Sequence, residues 1–395
     1  MFVIKIIFWL SLFVVIYSYV LYGFLVWVMI FVRNLFFGTT GRVFDSNFLP
    51  NVSLVIATYN EEVIIEKKVL NTFELEYPTD KLDIYFVTDG STDGTTNILK
   101  SYPRLKVLHR EGRKGKVAAM NHAMEYVKTP YVVFCDANTF LNKECIREII
   151  KHYNYADIGA VAGEKKVIDP SGNNSAASSG EGIYWKYESL LKKLDAEYYT
   201  VVGAAGELFS MRTDLYRPVN NNILLDDFML SMNICKEGYR VMYEPKAFAM
   251  EAPSMSMKEE EKRKIRISAG GFQSMSMLMD LFNIFKYGKL SFQYISHRVL
   301  RWAVCPFLLP VILIANIILS IFSGNIVYNT LLATQLFFYI TAFTGWILAQ
   351  KNIKLKILYV PYYFLFMNVA LYLGFFKFLN KQQTVLWDKA ARKPI

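Results

Sequence analysis

Apolar and polar positions divide the 395-residue chain into blocks of two kinds. Residues Ile6 to Val32 carry no charged side chain, and Arg33 ends the run. A bilayer core is crossed by ~20 apolar residues, so this run is long enough to span with tilt. An export signal has an apolar stretch of only ~7–15 residues and a small-residue cleavage site, and neither matches here. A retained transmembrane helix is expected. Ala303 to Gln350 is also uncharged and too long for one helix. Ser323-Gly324-Asn325 in its middle is a turn signal that divides it into two spans. A further apolar run, Ile357 to Phe376, follows the basic loop Lys351–Lys356.

Between these blocks the period changes. Val52–Ala57, Ile84–Thr88, Leu105–Leu108 and Tyr131–Cys135 are short apolar runs rich in β-branched residues. Helical patterns separate them at Val63–Phe73, Thr95–Ser101 and Val117–Val127. This alternation predicts βαβ units, an α/β fold and a mostly parallel sheet. The expected organisation is a membrane helix over 1–33 and an α/β domain over 34–270. Interfacial helices over 271–302, membrane helices over 303–379 and a basic tail over 380–395 complete it. Pro170–Gly182, rich in small and polar residues, reads as a loop, and Ser291–Trp302 as an interfacial helix leading into the second span, with His297, Arg298 and Arg301 suited to headgroups.

Composition agrees. The chain is 53% hydrophobic, 16% aromatic and 20% charged, which excludes a disordered chain and argues against a purely soluble one. Cys135, Cys145, Cys235 and Cys305 form no close pair, so neither a disulfide scaffold nor a structural zinc site is expected. The net charge of +10 invites a nucleic-acid reading, but its location answers it. Nine of the 44 Lys/Arg residues and only one of the 34 acids lie outside residues 33–302. The excess flanks the apolar segments, as membrane anchoring requires, and no nucleic-acid partner is expected. The basic 350–356 loop should be cytoplasmic and the uncharged 323–326 loop outside, which places residues 33–302 in the cytoplasm of a bacterial inner-membrane protein. A third C-terminal crossing would put the basic tail outside; either the tail breaks the rule or the last segment re-enters.

In parallel sheets ligands bind beyond the carboxyl ends of the strands, and the polar residues gather there. Thr58-Tyr59-Asn60-Glu61-Glu62 follows the first run, Asp89-Gly90-Ser91-Thr92-Asp93-Gly94-Thr95 the second, and Asp136-Ala137-Asn138 the fourth. Each alone is an ordinary cap or turn; three at successive strand ends point to a site. There is no P-loop and no dinucleotide-binding glycine fingerprint.

The series Ala57-Thr58-Tyr59-Asn60-Glu61, Asp89 to Thr95, Gly115-Lys116…Asn121 and Asp136-Ala137-Asn138 resembles a family 2 glycosyltransferase of the GT-A fold. With its membrane flanks the chain is similar to the cellulose, hyaluronan and poly-N-acetylglucosamine synthase group. Gly203-Ala204-Ala205-Gly206-Glu207-Leu208-Phe209, Leu225 to Leu230 and Arg263-Lys264-Ile265-Arg266 fit later blocks of the same pattern. The resemblance implies a UDP-sugar donor held by Thr58, Glu61, Asp89, Lys116, Asp136 and Arg263. It implies Mg2+ or Mn2+ on Asp136 and Asn138, although an acid is usual at the second position. Asp227 would be the general base, Arg266 would neutralise the departing diphosphate, and Gly203, Gly206 and Asp226 would form the acceptor side. Asp226-Asp227 also suits a helix N-terminus, which favours acids, and Lys116 also suits a solvated lysine in the basic run Arg113–Lys116.

One position departs from the pattern. Ile267 stands where polymerising relatives carry a tryptophan under the acceptor sugar. The resemblance therefore implies an inverting enzyme whose acceptor is lipid-linked or a glycan, with single transfer and processive synthesis both open. Trp185 and Phe272 are substitute aromatic platforms for the second case. Membrane lipids are expected neighbours. Four spans are few for an unaided polymer channel, so a membrane partner or homo-oligomer is expected. A transporter would place charged groups inside the spans, which these lack; a catalytically dead relative would have lost Asp89, Asp136 or Asp227.

Overall fold

β-Branched and aromatic residues fill the short apolar runs, and such side chains fit a pleated surface covered on both faces. In the computed structural model each run is a strand: β1 (Val52–Thr58), β2 (Leu82–Asp89), β3 (Lys106–Arg110) and β4 (Tyr131–Asp136). Residues 1–38, 41–168, 176–254, 256–351, 353, 355–382 and 384 are described. Helices Glu62–Phe73, Thr95–Lys100 and Lys116–Met124 connect the four strands, as the alternation predicts. Four further strands carry weaker sequence signals: β5 (Phe140–Leu141), β6 (Ile158–Val167), β7 (Leu208–Arg212) and β8 (Arg240–Glu251).

All eight form one sheet in the order β3-β2-β1-β4-β7-β6-β8-β5. The first four are mutually parallel, β7 runs antiparallel to both its neighbours, and β6 is parallel to β8. Leu54, Ile56, Ile65, Ile84, Phe86, Leu99 and Val133 are buried between the sheet and its helices. The register matters most for function. Thr58 pairs with Thr88 and Ala57 with Asp136, so β1, β2 and β4 all end at one edge.

The chain divides into two compact units. One consists mainly of Val32–Pro170 and Ser189–Pro253 and holds the sheet; the other comprises Met1–Phe31, Ser171–Glu188 and Ser254–Gln383 and is helical. Four helices are long and apolar enough to cross a membrane: Phe2–Phe37, Lys289–Ser323, Ile326–Gln350 and Ile357–Leu379. They fall where the apolar runs place them.

Two local expectations change. Ser291–Trp302 leads into the second span within a 35-residue helix that continues to Ser323, but its His297, Arg298 and Arg301 are buried. At 1.5 Å per residue this helix is ~52 Å long, well beyond the ~30 Å of a bilayer core. Its π-helical stretch Tyr294–Val304 ends just before Pro306, where an α-helical ladder would lose a donor. The loop expected over Pro170–Gly182 is helical from Ala176 onward, within Ala176–Tyr198, and its first residues lie outside those described. The basic tail beyond 384 also lies outside them.

Within the helical unit, Glu188 lies buried with its carboxylate 2.6 Å from Arg301, 3.4 Å from Arg298 and 3.6 Å from His297. Burial alone would raise the Glu188 pKa; the Arg301 guanidinium, with His297 and Arg298, outweighs it and holds the group well below the usual range. His297 thus faces Glu188 inside the protein. Helix Met257–Met277 packs on Ile357–Leu379, where Gly374 is needed because a Cβ would come within 2.3 Å of Ser268 Oγ. Phe272 is buried there against Phe375, with ring centroids 5.0 Å apart, and stacks near Phe378.

Candidate active site at the carboxyl edge of the sheet

Strands that end in step deliver their next residues to a common place. Beyond β1, Asn60 takes a positive φ of 50° and its backbone N–H and side chain bond Ser91 and Thr92 from the loop after β2. The Glu61 N–H donates to Thr95 Oγ1 at 2.9 Å, and Glu61 is buried. Thr58 ends β1, 3% exposed. The two loops are thereby tied into one wall.

Asp89 ends β2, buried, and accepts hydrogen bonds from the backbone N–H of Lys114 at 3.0 Å and of Gly115 at 2.6 Å. Its carboxylate therefore orders the turn that starts helix Lys116–Met124. An ionised carboxylate has about four acceptor positions, so capacity remains for a ligand N–H or hydroxyl. The Arg113 guanidinium lies 3.9 Å from the Tyr59 ring centroid at the same edge.

Lys116 opens that helix and points across the sheet end. Its side chain is only 17% exposed, so it is not the solvated lysine that the basic run allowed. Its Nζ donates to Asp136 Oδ1 at 2.6 Å and to the Gly206 carbonyl oxygen at 3.3 Å. A Cβ built on Gly206 would lie 3.0 Å from Lys116 Nζ and 3.3 Å from Asp227 Oδ2. The residues Lys116, Asp136, Gly206 and Asp227 are thus gathered at one point. Burial alone would lower the Lys116 pKa, but the charges of Asp136, Asp226 and Asp227 outweigh it and hold the ammonium above its ordinary value.

Asp226 and Asp227 are the first residues of helix Asp226–Lys236, where acids are favoured. Asp226 is buried and Asp227 half-buried. Asp227 is pushed up to about 7 by burial and by the neighbouring Asp226 and Glu207 charges, against the pull of Lys116. A carboxyl with that affinity is poised to accept a proton near neutral pH. Gly203 positions this helix from the side: its φ is +84° and a Cβ would fall 2.1 Å from the Phe228 ring.

Asp136 ends β4 and Asn138 follows in the turn. Among the described residues no group of three His, Cys, Asp or Glu side chains is arranged to hold a metal ion. One carboxylate and one amide oxygen do fit a divalent cation that takes its remaining ligands from phosphate oxygens and water. Arg263 and Arg266 lie on helix Met257–Met277, which belongs to the helical unit and not to the sheet-bearing one.

Sequence reasoning did not single out Lys165 and Glu207. Lys165 is 3% exposed on β6, bonds Glu207 Oε1 at 2.7 Å and pairs also with Glu251. Glu164, Lys165 and Lys166 are consecutive charged residues of β6, so the sequence offered no local signal that Lys165 is the buried one.

Comparison with known proteins agrees with this geometry. Residues 53–219 match the model of the family described as "Glycosyl transferase family 2". A β-monoglucosyldiacylglycerol synthase from Nostoc sp. is 29% identical over 169 residues, 40% of this chain and 34% of that protein. A poly-β-1,6-N-acetyl-D-glucosamine synthase from Staphylococcus aureus is 23% identical over 249 residues, 60% of this chain and 58% of that protein. The chain thus spans well under two thirds of the length of these relatives. The structure of a mannosyltransferase from Pyrobaculum calidifontis in complex with GDP-Man and Mn2+ superposes with a TM-score of 0.70 at 20% identity. It covers 96% of this chain and 100% of that one. The sheet-bearing unit has the GT-A glycosyltransferase fold, with a mixed, mostly parallel sheet.

Two outcomes follow from the site. With Asp227 as general base, as the resemblance implies, its carboxyl must first lose its proton, so kcat/KM should rise with pH through about 7 and level off above it. In Asp227→Asn that rising limb should vanish from the residual activity; a pH profile between 5 and 9 is the measurement. Gly203→Ala places a methyl group against Phe228 at a positive φ and should cost about 1–3 kcal/mol of stability, read as a lowered thermal unfolding midpoint.

Proposed function

Residues 53–219 being a family 2 glycosyltransferase domain, we propose that the chain is a membrane-bound inverting glycosyltransferase. It moves a sugar from a UDP-sugar to a lipid-linked or glycan acceptor and leaves a β-glycoside. The observation that supports this is the gathering of Asp136, hydrogen-bonded to Lys116, and of Asp227 around Gly206. A donor-side carboxylate, a cation and a base with a raised pKa are what sugar transfer from a nucleotide needs.

Thr58, Glu61 and Asp89 line the nucleoside end. Asp136 and Asn138 would hold Mg2+ or Mn2+, which supplies Lewis-acid neutralisation of the diphosphate when bound. Lys116 adds a point charge to the same diphosphate. Asp227 takes the proton from an acceptor hydroxyl. That oxygen forms its bond to the anomeric carbon as the bond to the diphosphate oxygen breaks, and the electron pair leaves with the nucleotide. A single displacement inverts the α-linked donor. Gly203, Gly206 and Asp226 bound the acceptor side, where the absence of side chains at the two glycines leaves the backbone approachable.

A lipid-bound acceptor is supported by the four apolar helices, the likeness to a glycolipid synthase, and Ile267 in place of an aromatic platform. Phe272 does not offer a substitute, because it is buried between neighbouring helices; Trp185 carries the Lys264 ammonium 5.7 Å from its ring centroid. The second reading, a processive polysaccharide synthase, is favoured by the longer match to the poly-N-acetylglucosamine synthase. The catalytic domain faces the cytoplasm, where nucleotide sugars are made.

Donor profiling of the protein in lipid, with UDP release measured for a panel of UDP-sugars, tests the assignment. Asp227→Asn should lower kcat by ~10²–10⁴ and leave donor binding nearly intact, since the base acts on the acceptor. Asp226→Asn should do less. EDTA and Asp136→Ala should each abolish UDP release; full activity in excess EDTA would remove the metal role from Asp136 and Asn138. After long incubation with excess donor, mass spectrometry should show one discrete lipid-extractable product. A ladder of masses would replace single transfer with polymer synthesis.

A further inference from the structure

One charged group behind the donor edge has no part in the reaction above. Lys68 lies on the buried face of helix Glu62–Phe73 with Ile65, Val69 and Thr72, and is 0% exposed. A buried ammonium is costly unless its donors are met. Lys68 Nζ donates to the Thr139 carbonyl oxygen at 2.6 Å and lies 3.1 Å from Cys135 Sγ. These two partners bracket the turn that carries Asp136 and Asn138: Cys135 precedes it and Thr139 follows it.

The turn is closed by the same residues. The buried Thr139 hydroxyl donates to the Asp136 carbonyl oxygen at 2.9 Å and sits 3.1 Å from Cys135 Sγ. On the next position of the helix face, Asn71 Nδ2 donates to the Leu141 carbonyl, and Leu141 N–H donates to Asn71 Oδ1, both at 2.9 Å. The helix after β1 is thereby stitched to the turn after β4. An apolar residue at 68 would be cheaper to bury but would leave the Thr139 carbonyl without this donor.

We propose that Lys68 is a positioning residue for the donor edge: its buried ammonium holds the turn Asp136–Thr139 from behind, so that Asp136 and Asn138 present their oxygen atoms together to a cation–diphosphate. Two oxygen ligands separated by one residue share a cation only when the backbone between them is fixed. Outer partners of this kind orient the ligands and tune the affinity without touching the ion. The inference rests on the assignment of Asp136 and Asn138 to donor binding made above.

The experiment uses the full chain in lipid nanodiscs, with UDP and GDP as parallel probes. Calorimetry measures nucleotide affinity with Mn2+ and in EDTA, and electron paramagnetic resonance measures Mn2+ occupancy. Lys68→Met keeps the volume and removes the ammonium; Thr139→Val keeps the lysine and removes the hydroxyl. Both variants should need about tenfold or more Mn2+ for half-saturation in the presence of nucleotide, with metal-free nucleotide binding unchanged. Lys68→Gln, which retains a donor for the Thr139 carbonyl, should recover part of that loss. A Lys68→Met protein that melts earlier but keeps the wild-type Mn2+ requirement would show a lysine of the core alone and overturn the proposal. If Lys68→Met does not fold, an unaltered Mn2+ requirement in Thr139→Val overturns it equally. Wild-type protein that binds both nucleotides identically in Mn2+ and in EDTA removes the donor-edge assignment itself, and the proposal falls with it before any variant is compared.

Discussion

Bringing the carboxylates of Asp136, Asp226 and Asp227 to one sheet edge sets like charges against each other in a partly dry place. Lys116 is what makes the arrangement tolerable. Its ammonium is 2.6 Å from Asp136 and adjoins Asp227 through the space that a Gly206 side chain would fill. A compact point charge suits this position, since it serves several carboxylates without a fixed fork geometry. The same charge keeps Asp227 from rising further while burial, Asp226 and Glu207 push it up. The Asp227 carboxyl is thus held near neutral pH by a balance of opposing effects.

The parallel half of the sheet was legible because β1, β2 and β4 are buried on both faces and read as unbroken apolar runs. Their common end fixed where chemistry would gather, and Thr58, Glu61, Asp89, Lys116 and Asp136 all lie there. The other half was harder to see. β6 mixes buried apolar residues with Glu164, Lys165 and Lys166, and β8 contains Glu244, Pro245 and Lys246, so neither shows a clean period. What satisfies those charges is tertiary: Lys165 meets Glu207 and Glu251, and Glu244 meets His152 and Lys151. Pairings between residues dozens of positions apart leave no local signature. Lys68 is the exception, since it falls on a helix stripe otherwise made of Ile65, Val69 and Thr72.

The helical unit shows the same limit from the other side. Runs without charge identified the spans, but not that Lys289–Ser323 is one helix longer than a bilayer requires. Its polar first half looked like a surface helix because His297, Arg298 and Arg301 are suited to headgroups. The structure buries all three around Glu188 instead, in a chain segment more than a hundred residues away. A charged helix face therefore does not distinguish lipid contact from an internal ion cluster until its partner is known. The cluster is not evidence of extra stability, because removing such charges from water is expensive. It does define which helices belong together.

Asn138 gives the charge balance its functional meaning on the proposed reading. A second acid in the turn would let the protein bind a divalent cation by itself. With an amide there, one carboxylate faces Lys116 in front and the turn has the Lys68 ammonium behind it. On that reading one carboxylate and one amide oxygen are too few ligands to hold such a cation alone, since these ions dehydrate reluctantly. A nucleotide diphosphate supplies the missing negative charge and several oxygen ligands at once. On that reading Asp136 and Asn138 would hold the cation together with the diphosphate, and Lys116, bonded to Asp136, would share in neutralising it.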